Sequence, residues 1–145
     1  MNDAEDTARA RPDQALLMSL FSLHDRTIVL TGGARGIGLR ILETLLAAGA
    51  DVAVLDILPG PSPDDLNELK LRCDAEDSVA SFYECDITDE GAIDGSLTQI
   101  NQTATERKRP IRGLVNCAGI QLAGDACELP VENYRRVIDV NLTGS

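Results

Sequence analysis

From residue 27 onward, the hydrophobic pattern of this chain alternates four times between a strand-like run and a helix-like period. The strand-like runs are continuous and rich in aliphatic and β-branched residues, as in strands buried on both faces, and they lie at residues 27–31, 51–55, 79–85 and 111–117. Strands that alternate with helices are typical of crossover connections in a parallel sheet. The pattern therefore predicts an α/β fold, a doubly wound parallel sheet of about four strands with helices on both faces.

Local signals mark the ends of the four predicted helices. Gly49 stands where a C-terminal cap would end the first helix, and Ser62 is a typical N-cap for the second. Thr88 is predicted to cap the third helix, and Pro130 to open the fourth, which continues through Val140. The third helix is predicted to carry one apolar face formed by Ile93, Leu97 and Ile100.

The chain has 145 residues, which suits one domain at residues 23–145 after a polar arm at residues 1–22. This arm is predicted to be disordered apart from a short helix. A net charge of −11 argues against nucleic-acid binding, because a nucleic-acid binder uses Lys and Arg to displace phosphate counterions. One histidine and no Cys-x-x-Cys argue against a metal site. Neither a signal peptide nor a membrane-spanning apolar run is recognisable, which predicts a cytoplasmic protein without membrane contact.

A glycine-rich loop lies between the first predicted strand and the first predicted helix. Its residues Gly32, Arg35, Gly36, Ile37 and Gly38 are candidate cofactor ligands. Glycines at such a loop allow a tight turn, close approach of the backbone to a pyrophosphate, and close packing of helix on strand. The helix that follows offers unpaired N–H groups and its positive dipole end to that pyrophosphate. The loop therefore predicts dinucleotide binding.

Two neighbouring features narrow the choice of nucleotide. A P-loop would carry Lys and Ser/Thr after the last glycine, but Leu39 and Arg40 stand there, which argues against a nucleoside triphosphatase. Asp56 follows the second strand, 18 residues after Gly38, where a carboxylate can bind both ribose hydroxyls and repel a 2′-phosphate. Arg35 favours the phosphate instead, because it could pair with it. We give Asp56 the greater weight and predict NAD, with NADP as the less favoured cofactor.

With these residues placed, the chain resembles the short-chain dehydrogenase/reductase family from about Leu23 to Ser145. The resemblance rests on four motifs in order, of which the glycine loop is the first. Asp86 and Ile87 are similar to the pair that contacts adenine in that family. The segment from residue 116 to residue 119 is similar to the family's Asn-Asn-Ala-Gly motif, with cysteine as its second residue. It implies cofactor-binding roles for Asn116, Ala118 and Gly119.

The fourth motif, residues 139–144, is similar to the helix that holds the asparagine of the family's catalytic tetrad, which implies that role for Asn141. The resemblance implies a Rossmann-type sheet, here incomplete, and hydride transfer between nicotinamide and a carbonyl or secondary alcohol. The family's tyrosine and the lysine four residues later are absent, since Ile87 and Ile138 stand four residues after Tyr83 and Tyr134. We therefore expect a truncated domain, inactive alone, that meets its small-molecule substrate only if a C-terminal part is present.

Two other classes of function remain open from the residues. One is a non-catalytic dinucleotide-binding or regulatory protein that pairs its open sheet edge with another chain; a homo-oligomer is instead implied by the resemblance of the last helix to one that packs between subunits in the family. The other is a methyltransferase-like fold whose glycine loop binds S-adenosylmethionine. Asn116 and Asn141 count against the methyltransferase.

Overall fold

The computed structural model describes residues 19–125 and 127–145, with the backbone alone for residues 71–76. Its four strands run parallel in the order β3-β2-β1-β4 and are β1 (Thr27–Thr31), β2 (Asp51–Asp56), β3 (Ala80–Glu84) and β4 (Ile111–Asn116). The helices between and after them are α1 (Gly36–Ala47), α2 (Pro63–Glu76), α3 (Glu90–Glu106) and α4 (Val131–Ile138). A π-helical turn at Asp139–Thr143 continues α4. This architecture confirms the predicted doubly wound α/β fold.

Two apolar clusters cover the two faces of the central strands β1 and β2. The first cluster joins one face of β1 and β2 to α1 and α2, and includes Leu30, Leu42, Val54 and Leu69. The second joins the opposite face to α3, and includes Val29, Ala53, Leu55, Cys85 and Ile100. Neighbouring residues of β1 therefore point into different clusters, as the pleat of a strand requires. This two-sided burial explains the continuous apolar runs of β1 and β2. The prediction of two buried faces was wrong for β4, whose residues alternate between half-buried and exposed and whose Leu114 is 61% exposed.

Gly49 ends α1 as predicted. Its φ of +89° lies in the left-handed region. Its N–H donates to the carbonyl of Leu46 at 2.9 Å, and the N–H of Ala50 donates to the carbonyl of Leu45 at 3.1 Å. These two bonds form a Schellman motif and satisfy carbonyls that the helix end leaves unpaired. A Cβ at Gly49 would lie 2.4 Å from the ring of His24, so the position has no room for a side chain.

The start of α3 differs from the prediction. Asp89 is the N-cap, because its Oδ1 accepts hydrogen bonds from the N–H groups of Gly91 and Ala92 at 2.9 and 3.1 Å. The hydroxyl of Thr88 donates to Asp86 instead. Thr and Asp are both good N-caps, and the sequence puts them side by side, so the prediction was wrong by one position. Leu97, predicted in a buried face, is 38% exposed.

At the amino ends of the strands, charged side chains surround the buried carboxylate of Asp51. Its Oδ1 accepts hydrogen bonds from the N–H of Val79 at 2.9 Å and from Arg109 at 2.8 Å, and its Oδ2 accepts from Arg107 at 2.6 Å. Thr27 donates to the carbonyl of Arg109 at 2.6 Å. We name these residues the Asp51 network. It ties the starts of β1, β2, β3 and β4 together.

The predicted arm, residues 1–22, lies mostly outside the described residues. Where the described chain begins, residues 19 and 20 are helical, and the N–H of Leu23 donates to the carbonyl of Ala48 at 2.8 Å. Within residues 19–125 and 127–145, no helix is both long and apolar enough to cross a membrane. Over the same residues, the His, Cys, Asp and Glu side chains form no group of three or more that could hold a metal ion.

Candidate functional site

A cavity of about 660 Å³ opens at the carboxyl ends of the parallel strands. Its walls are the loop between β1 and α1, the chain just after β2, β3 and β4, and one side of α4. In open α/β sheets this end of the strands is where ligands bind, because the loops there diverge to opposite faces. We call this space the main cavity.

The glycine loop forms the floor of the main cavity. Gly32 has a φ of +71°, and a Cβ there would lie 2.5 Å from the Cα of Ala118. A Cβ at Gly38 would lie 1.9 Å from the carbonyl oxygen of Gly32. Both positions therefore require glycine for space. The backbone itself forms the wall of the cavity here, which a bulky ligand group can approach closely.

The first turn of α1 faces the main cavity, since Gly36, Ile37 and Gly38 line it. The N-cap residue Arg35 makes no side-chain hydrogen bond to this turn, and the turn contains no acidic residue. The N–H groups of a first turn lack partners within the helix, and the helix dipole adds positive potential there. This end of α1 is therefore suited to an anion such as a pyrophosphate.

Asp56 ends β2 and lines the main cavity. Its Oδ2 accepts the N–H of Ala34 at 2.9 Å, and its Oδ1 accepts the N–H of Leu58 at 3.0 Å. A carboxylate has about four acceptor positions, so each oxygen keeps the capacity for one further donor. The two backbone bonds hold the carboxylate beside the glycine loop, in position to accept a pair of hydroxyl groups.

Asp86 and Ile87 follow β3 and line the same cavity, Asp86 exposed and Ile87 buried. Oδ1 of Asp86 accepts the backbone N–H of Thr88 at 2.9 Å and its hydroxyl at 2.7 Å. These two bonds, the backbone one first, lower the pKa of the Asp86 carboxyl, and the charge of Arg136 adds to the effect. Asp86 therefore presents an ionised acceptor to the cavity at neutral pH.

The chain after β4 is held against the glycine loop by Thr31. The buried hydroxyl oxygen of Thr31 accepts the N–H groups of Cys117 and Ala118, both at 3.1 Å. This contact positions Ala118 against Gly32, and Ala118 and Gly119 line the main cavity. The role of Thr31 was not predicted, because a threonine at the end of a strand gives no signal of a partner 86 residues away.

The two predicted asparagines lie in different places. Asn116 is exposed at the end of β4 and lines a second groove of about 510 Å³, rather than the main cavity. The side chain of Asn141 pairs with the backbone of Ile120: its Oδ1 accepts the N–H at 2.8 Å and its Nδ2 donates to the carbonyl at 3.0 Å. Asn141 thus fastens the loop after β4 to the π-helical turn, where the N–H of Gly144 donates to the carbonyl of Asp139 at 2.8 Å.

Helix α4 and the π-helical turn that continues it supply side chains that were not predicted from the sequence. Glu132, Arg135, Arg136, Asp139 and Val140 all line the main cavity. No local pattern indicated them, because they meet the other walls only through the tertiary fold. Neither of the two tyrosines lines the cavity: Tyr83 packs against the second apolar cluster, and Tyr134 is exposed on α4.

Comparison with known proteins agrees with this geometry. Residues 26–145 match the family model for short chain dehydrogenase. A curated relative, the short chain dehydrogenases/reductase notP' of Aspergillus versicolor, is 37% identical over 134 residues, which are 92% of this chain and 45% of that protein. The chain thus spans less than half the length of this relative.

Solved structures give the same result. A short-chain type dehydrogenase/reductase from Mycobacterium marinum is similar with a TM-score of 0.70 and 26% identity, over 88% of this chain and 49% of that one. A xylitol dehydrogenase solved with NAD⁺ bound is similar with a TM-score of 0.68 and 26% identity, over 84% and 44%. Because the family model covers nearly all of the described residues, the chain belongs to the short-chain dehydrogenase family.

Proposed function

We propose that this chain forms the cofactor-binding part of an NAD-dependent oxidoreductase. The main cavity supports the proposal, because it combines a glycine loop, a helix N-terminus and a carboxylate within one space. Bound NAD supplies the hydride acceptor or donor for a carbonyl or secondary alcohol carbon of a small molecule. Members of this family use NAD or NADP, so the choice between them depends on the contacts that these residues can make with each cofactor.

The pyrophosphate would lie against the glycine loop and the first turn of α1. No side chain occupies the space above Gly36, where a Cβ would meet no described atom within 4 Å. The first-turn N–H groups can donate to phosphate oxygens, and the dipole of the 12-residue helix adds to the attraction. These features fit the group without any change of the loop.

Asp56 would accept the two hydroxyls of the adenosine ribose. Its carboxylate is already held in place by Ala34 and Leu58, so little side-chain freedom is lost on binding. A 2′-phosphate at the same place would bring two negative charges together in a half-buried site. Arg35 is exposed on the cavity rim and can offset only part of that repulsion. These contacts favour NAD over NADP.

Asp86 and Ile87 would contact the adenine, and Ala118 and Gly119 would lie along the cofactor. For Asn141 we propose a supporting role in catalysis, in which its bonds to Ile120 hold the chain after β4 beside the cofactor. Asn116 lies on the second groove, so we propose that it acts on the cofactor side only through the β4 backbone.

The chemistry of proton transfer needs groups that this chain does not contain. No tyrosine in the 145 residues is followed four residues later by a lysine. An alkoxide that forms at neutral pH needs a proton donor of lowered pKa. We therefore expect these 145 residues to bind the cofactor and to show no turnover by themselves. The free thiols of Cys85, Cys117 and Cys127 suit a reducing compartment, and we propose the cytoplasm.

Calorimetric titration of the 145-residue chain with NAD and NADP tests the proposal. We expect NAD to bind more tightly than NADP, and Asp56→Ala to weaken NAD binding by about tenfold, the value of one charge-assisted hydrogen bond. Asp94→Ala is the matched control, because it removes one negative charge from an exposed position on α3 outside the main cavity. Equal or tighter binding of NADP by the wild-type chain would contradict the assignment of Asp56.

Asp56→Ala also removes two bonds that hold the loop, so a second variant is needed. Asp56→Asn keeps the shape and an acceptor oxygen but loses the charge. Its amide nitrogen cannot accept an N–H, so only one of the bonds from Ala34 and Leu58 is kept. We expect it to narrow the preference for NAD and to destabilise the chain less than Asp56→Ala does. If Asp56→Asn keeps the full preference, the carboxylate charge does not select the cofactor.

A further inference from the structure

We propose that Asp56 is a positioning residue for the pyrophosphate as well as a ligand of the ribose, because its carboxylate holds the glycine loop in its binding conformation. The inference rests on the proposed dinucleotide function and adds a second role for one side chain of that site. It implies that the ribose and the pyrophosphate are bound by two sites that depend on each other.

The carboxylate of Asp56 connects two loops that are far apart in the sequence. Its Oδ2 accepts the N–H of Ala34, 22 residues earlier in the glycine loop, at 2.9 Å. Its Oδ1 accepts the N–H of Leu58, in the loop after β2, at 3.0 Å. Because Leu58 holds the second oxygen, the carboxylate has one orientation and can in turn fix the position of Ala34.

The glycine loop has few other polar anchors between β1 and α1. The N–H of Gly32 donates to the carbonyl of Leu55 at 2.8 Å, which holds the start of the loop. Among the described residues, no hydrogen bond other than that from Ala34 to Asp56 joins residues 33–35 to another strand or loop. Arg35 makes no side-chain hydrogen bond to the helix end that it caps. The middle of the loop therefore depends on Asp56 for its polar anchoring.

Burial of Ala34 makes this bond difficult to replace. The residue is 2% exposed, so water cannot take the place of the carboxylate unless the loop moves. A buried N–H without a partner is costly, and the loop is expected to shift until this group reaches water. Gly36, two residues later, begins the first turn of α1, which lines the main cavity. A shift of Ala34 therefore displaces the N–H groups that would bind the pyrophosphate.

This dependence limits how the cofactor preference can be changed. A substitution that removes the carboxylate of Asp56 relieves the repulsion of a 2′-phosphate, but it also releases the glycine loop. NAD and NADP share the pyrophosphate, so the affinity for this group should fall for both cofactors. A residue that only bound the ribose hydroxyls would not have this effect.

An NAD analogue that lacks the 2′ and 3′ hydroxyls of the adenosine ribose separates the two roles. This dideoxy analogue keeps the pyrophosphate and the adenine but offers Asp56 no ribose hydroxyl. Dissociation constants for NAD and for the dideoxy analogue are measured by NMR titration of the wild-type chain and of Asp56→Ala. The amide spectra show whether each protein is folded, and hydrogen exchange of the Ala34 amide reports on the loop.

We expect Asp56→Ala to bind the dideoxy analogue at least about threefold more weakly than the wild-type chain does, a part of the cost of ordering one loop residue. The Ala34 amide should exchange faster in this variant. If Asp56 acted on the hydroxyls alone, the analogue would bind Asp56→Ala equally well or more tightly, because a negative charge near the pyrophosphate is lost.

Two variants control for stability and for charge. Thr27→Val removes the hydrogen bond of 2.6 Å to the carbonyl of Arg109, at the end of β1 opposite the glycine loop. Asp94→Ala removes a negative charge from an exposed position on α3 outside the main cavity. Neither variant should change the affinity for the dideoxy analogue. An equal loss in Thr27→Val would show that general destabilisation, rather than the loop, accounts for the result.

Asp56→Asn provides a second test that does not depend on the folding of Asp56→Ala. Its amide keeps only one of the bonds from Ala34 and Leu58. The affinity for the dideoxy analogue should follow the Ala34 amide: undiminished where this amide stays protected, and reduced where it exchanges rapidly. Either of the opposite combinations would overturn the inference.

Other results would also overturn it. One is unchanged or tighter binding of the dideoxy analogue by a folded Asp56→Ala. Another is a wild-type chain that binds NAD but not the analogue, because the pyrophosphate site would then contribute no affinity. Failure of the wild-type chain to bind NAD at all would instead contradict the proposed function, and the inference with it.

Discussion

Carboxylates at the two ends of the sheet differ in how far donors within the protein satisfy them. At the amino ends of the strands, Asp51 is buried, and its two oxygens accept four hydrogen bonds from Val79, Arg107 and Arg109. At the carboxyl ends, Asp56 accepts one hydrogen bond from the glycine loop and one from its own loop, and Asp86 accepts two from Thr88. Both carboxylates still line an open cavity. The carboxylate at the amino ends is therefore satisfied by protein donors, whereas the carboxylates at the carboxyl ends keep acceptor positions for a ligand.

This difference separates the carboxylate that stabilises the fold from those that are expected to bind a ligand. A buried carboxylate is tolerated only when paired, and removal of one partner leaves a charge without compensation. The half-buried Asp56 and the exposed Asp86 have fewer partners within the protein than Asp51, and they keep acceptor positions with which to bind hydroxyls or an amino group. Substitutions at the Asp51 network should therefore act on the unfolding free energy, and substitutions at the main cavity on nucleotide affinity.

The largest effect is expected from Asp51→Ala. It leaves Arg109, which is 8% exposed, without its buried partner, and should lower the unfolding free energy by about 3–5 kcal/mol. Urea unfolding followed by circular dichroism measures the change. Asp77→Asn is the control, because it removes the charge of a side chain that is 94% exposed and also pairs with Arg109, while asparagine tolerates the φ of +52° at this position. Its loss should cost less than about 1 kcal/mol. Similar losses of unfolding free energy in the two variants would show that burial of the Asp51 ion pair does not determine its contribution to stability.

Gly38→Ala tests the cavity end. The new Cβ would lie 1.9 Å from the carbonyl oxygen of Gly32, so the loop must move. We expect a loss of about 1–3 kcal/mol from overpacking, together with at least a tenfold loss of NAD affinity. Gly95→Ala is the matched control, since its Cβ would meet nothing within 4 Å in α3, and it should stabilise the helix by about 0.5–1 kcal/mol. Unchanged NAD affinity in Gly38→Ala would show that the glycine loop is not part of the NAD-binding site.

Asn141→Ala should have a smaller effect. It removes two hydrogen bonds to Ile120 in an exposed region, at a cost of about 1 kcal/mol. Hydrogen exchange of the Ile120 amide should become faster while amides of the sheet stay protected. The control, Asn101→Ala at an exposed position on α3, should change neither the unfolding free energy nor the exchange rate of the Ile120 amide. An Ile120 amide that remains equally protected would show that the loop is held by other contacts.

The smallest effect is a change in titration at Asp86. Since its folded-state pKa is depressed below the unfolded value, this group adds stability above the unfolded pKa, and that contribution is lost as pH falls through the folded pKa. Thr88→Val removes the hydroxyl donor but keeps the backbone N–H. We expect the pKa of Asp86 to rise yet stay below its ordinary value, which carboxyl carbon NMR measures. An unchanged pKa would mean that the hydroxyl plays no part.

Much of the fold could be predicted because its signals are local. The alternation of periods, the glycine after α1 and the Ser62 cap at the start of α2 act within a few residues, and Ser62 does accept the N–H of Asp65 at 3.3 Å. From their spacing, the glycine loop and Asp56 were likewise predicted to bind one ligand, and both line the main cavity. Such features depend on backbone conformation, which neighbouring residues largely determine.

The parts that could not be predicted depend on contacts between distant segments. Thr31 and Ala118, or Asn141 and Ile120, meet only after the sheet has formed. The position of α4 relative to the cavity is of the same kind, which is why Arg136 was missed. The change from α4 to a π-helical turn at Asp139–Thr143 also had no local signal such as proline.

The strand order has a consequence for the time at which the chain can fold. β1 pairs with β2 and with β4, and its second partner begins about 84 residues after β1 itself, from Thr27 to Ile111. At a synthesis rate of about 5–20 residues per second, β4 is synthesised roughly 4–17 s after β1. During that interval one edge of an apolar strand has no native partner on the ribosome. Nascent chains should therefore engage chaperones most strongly between the synthesis of α1 and that of β4.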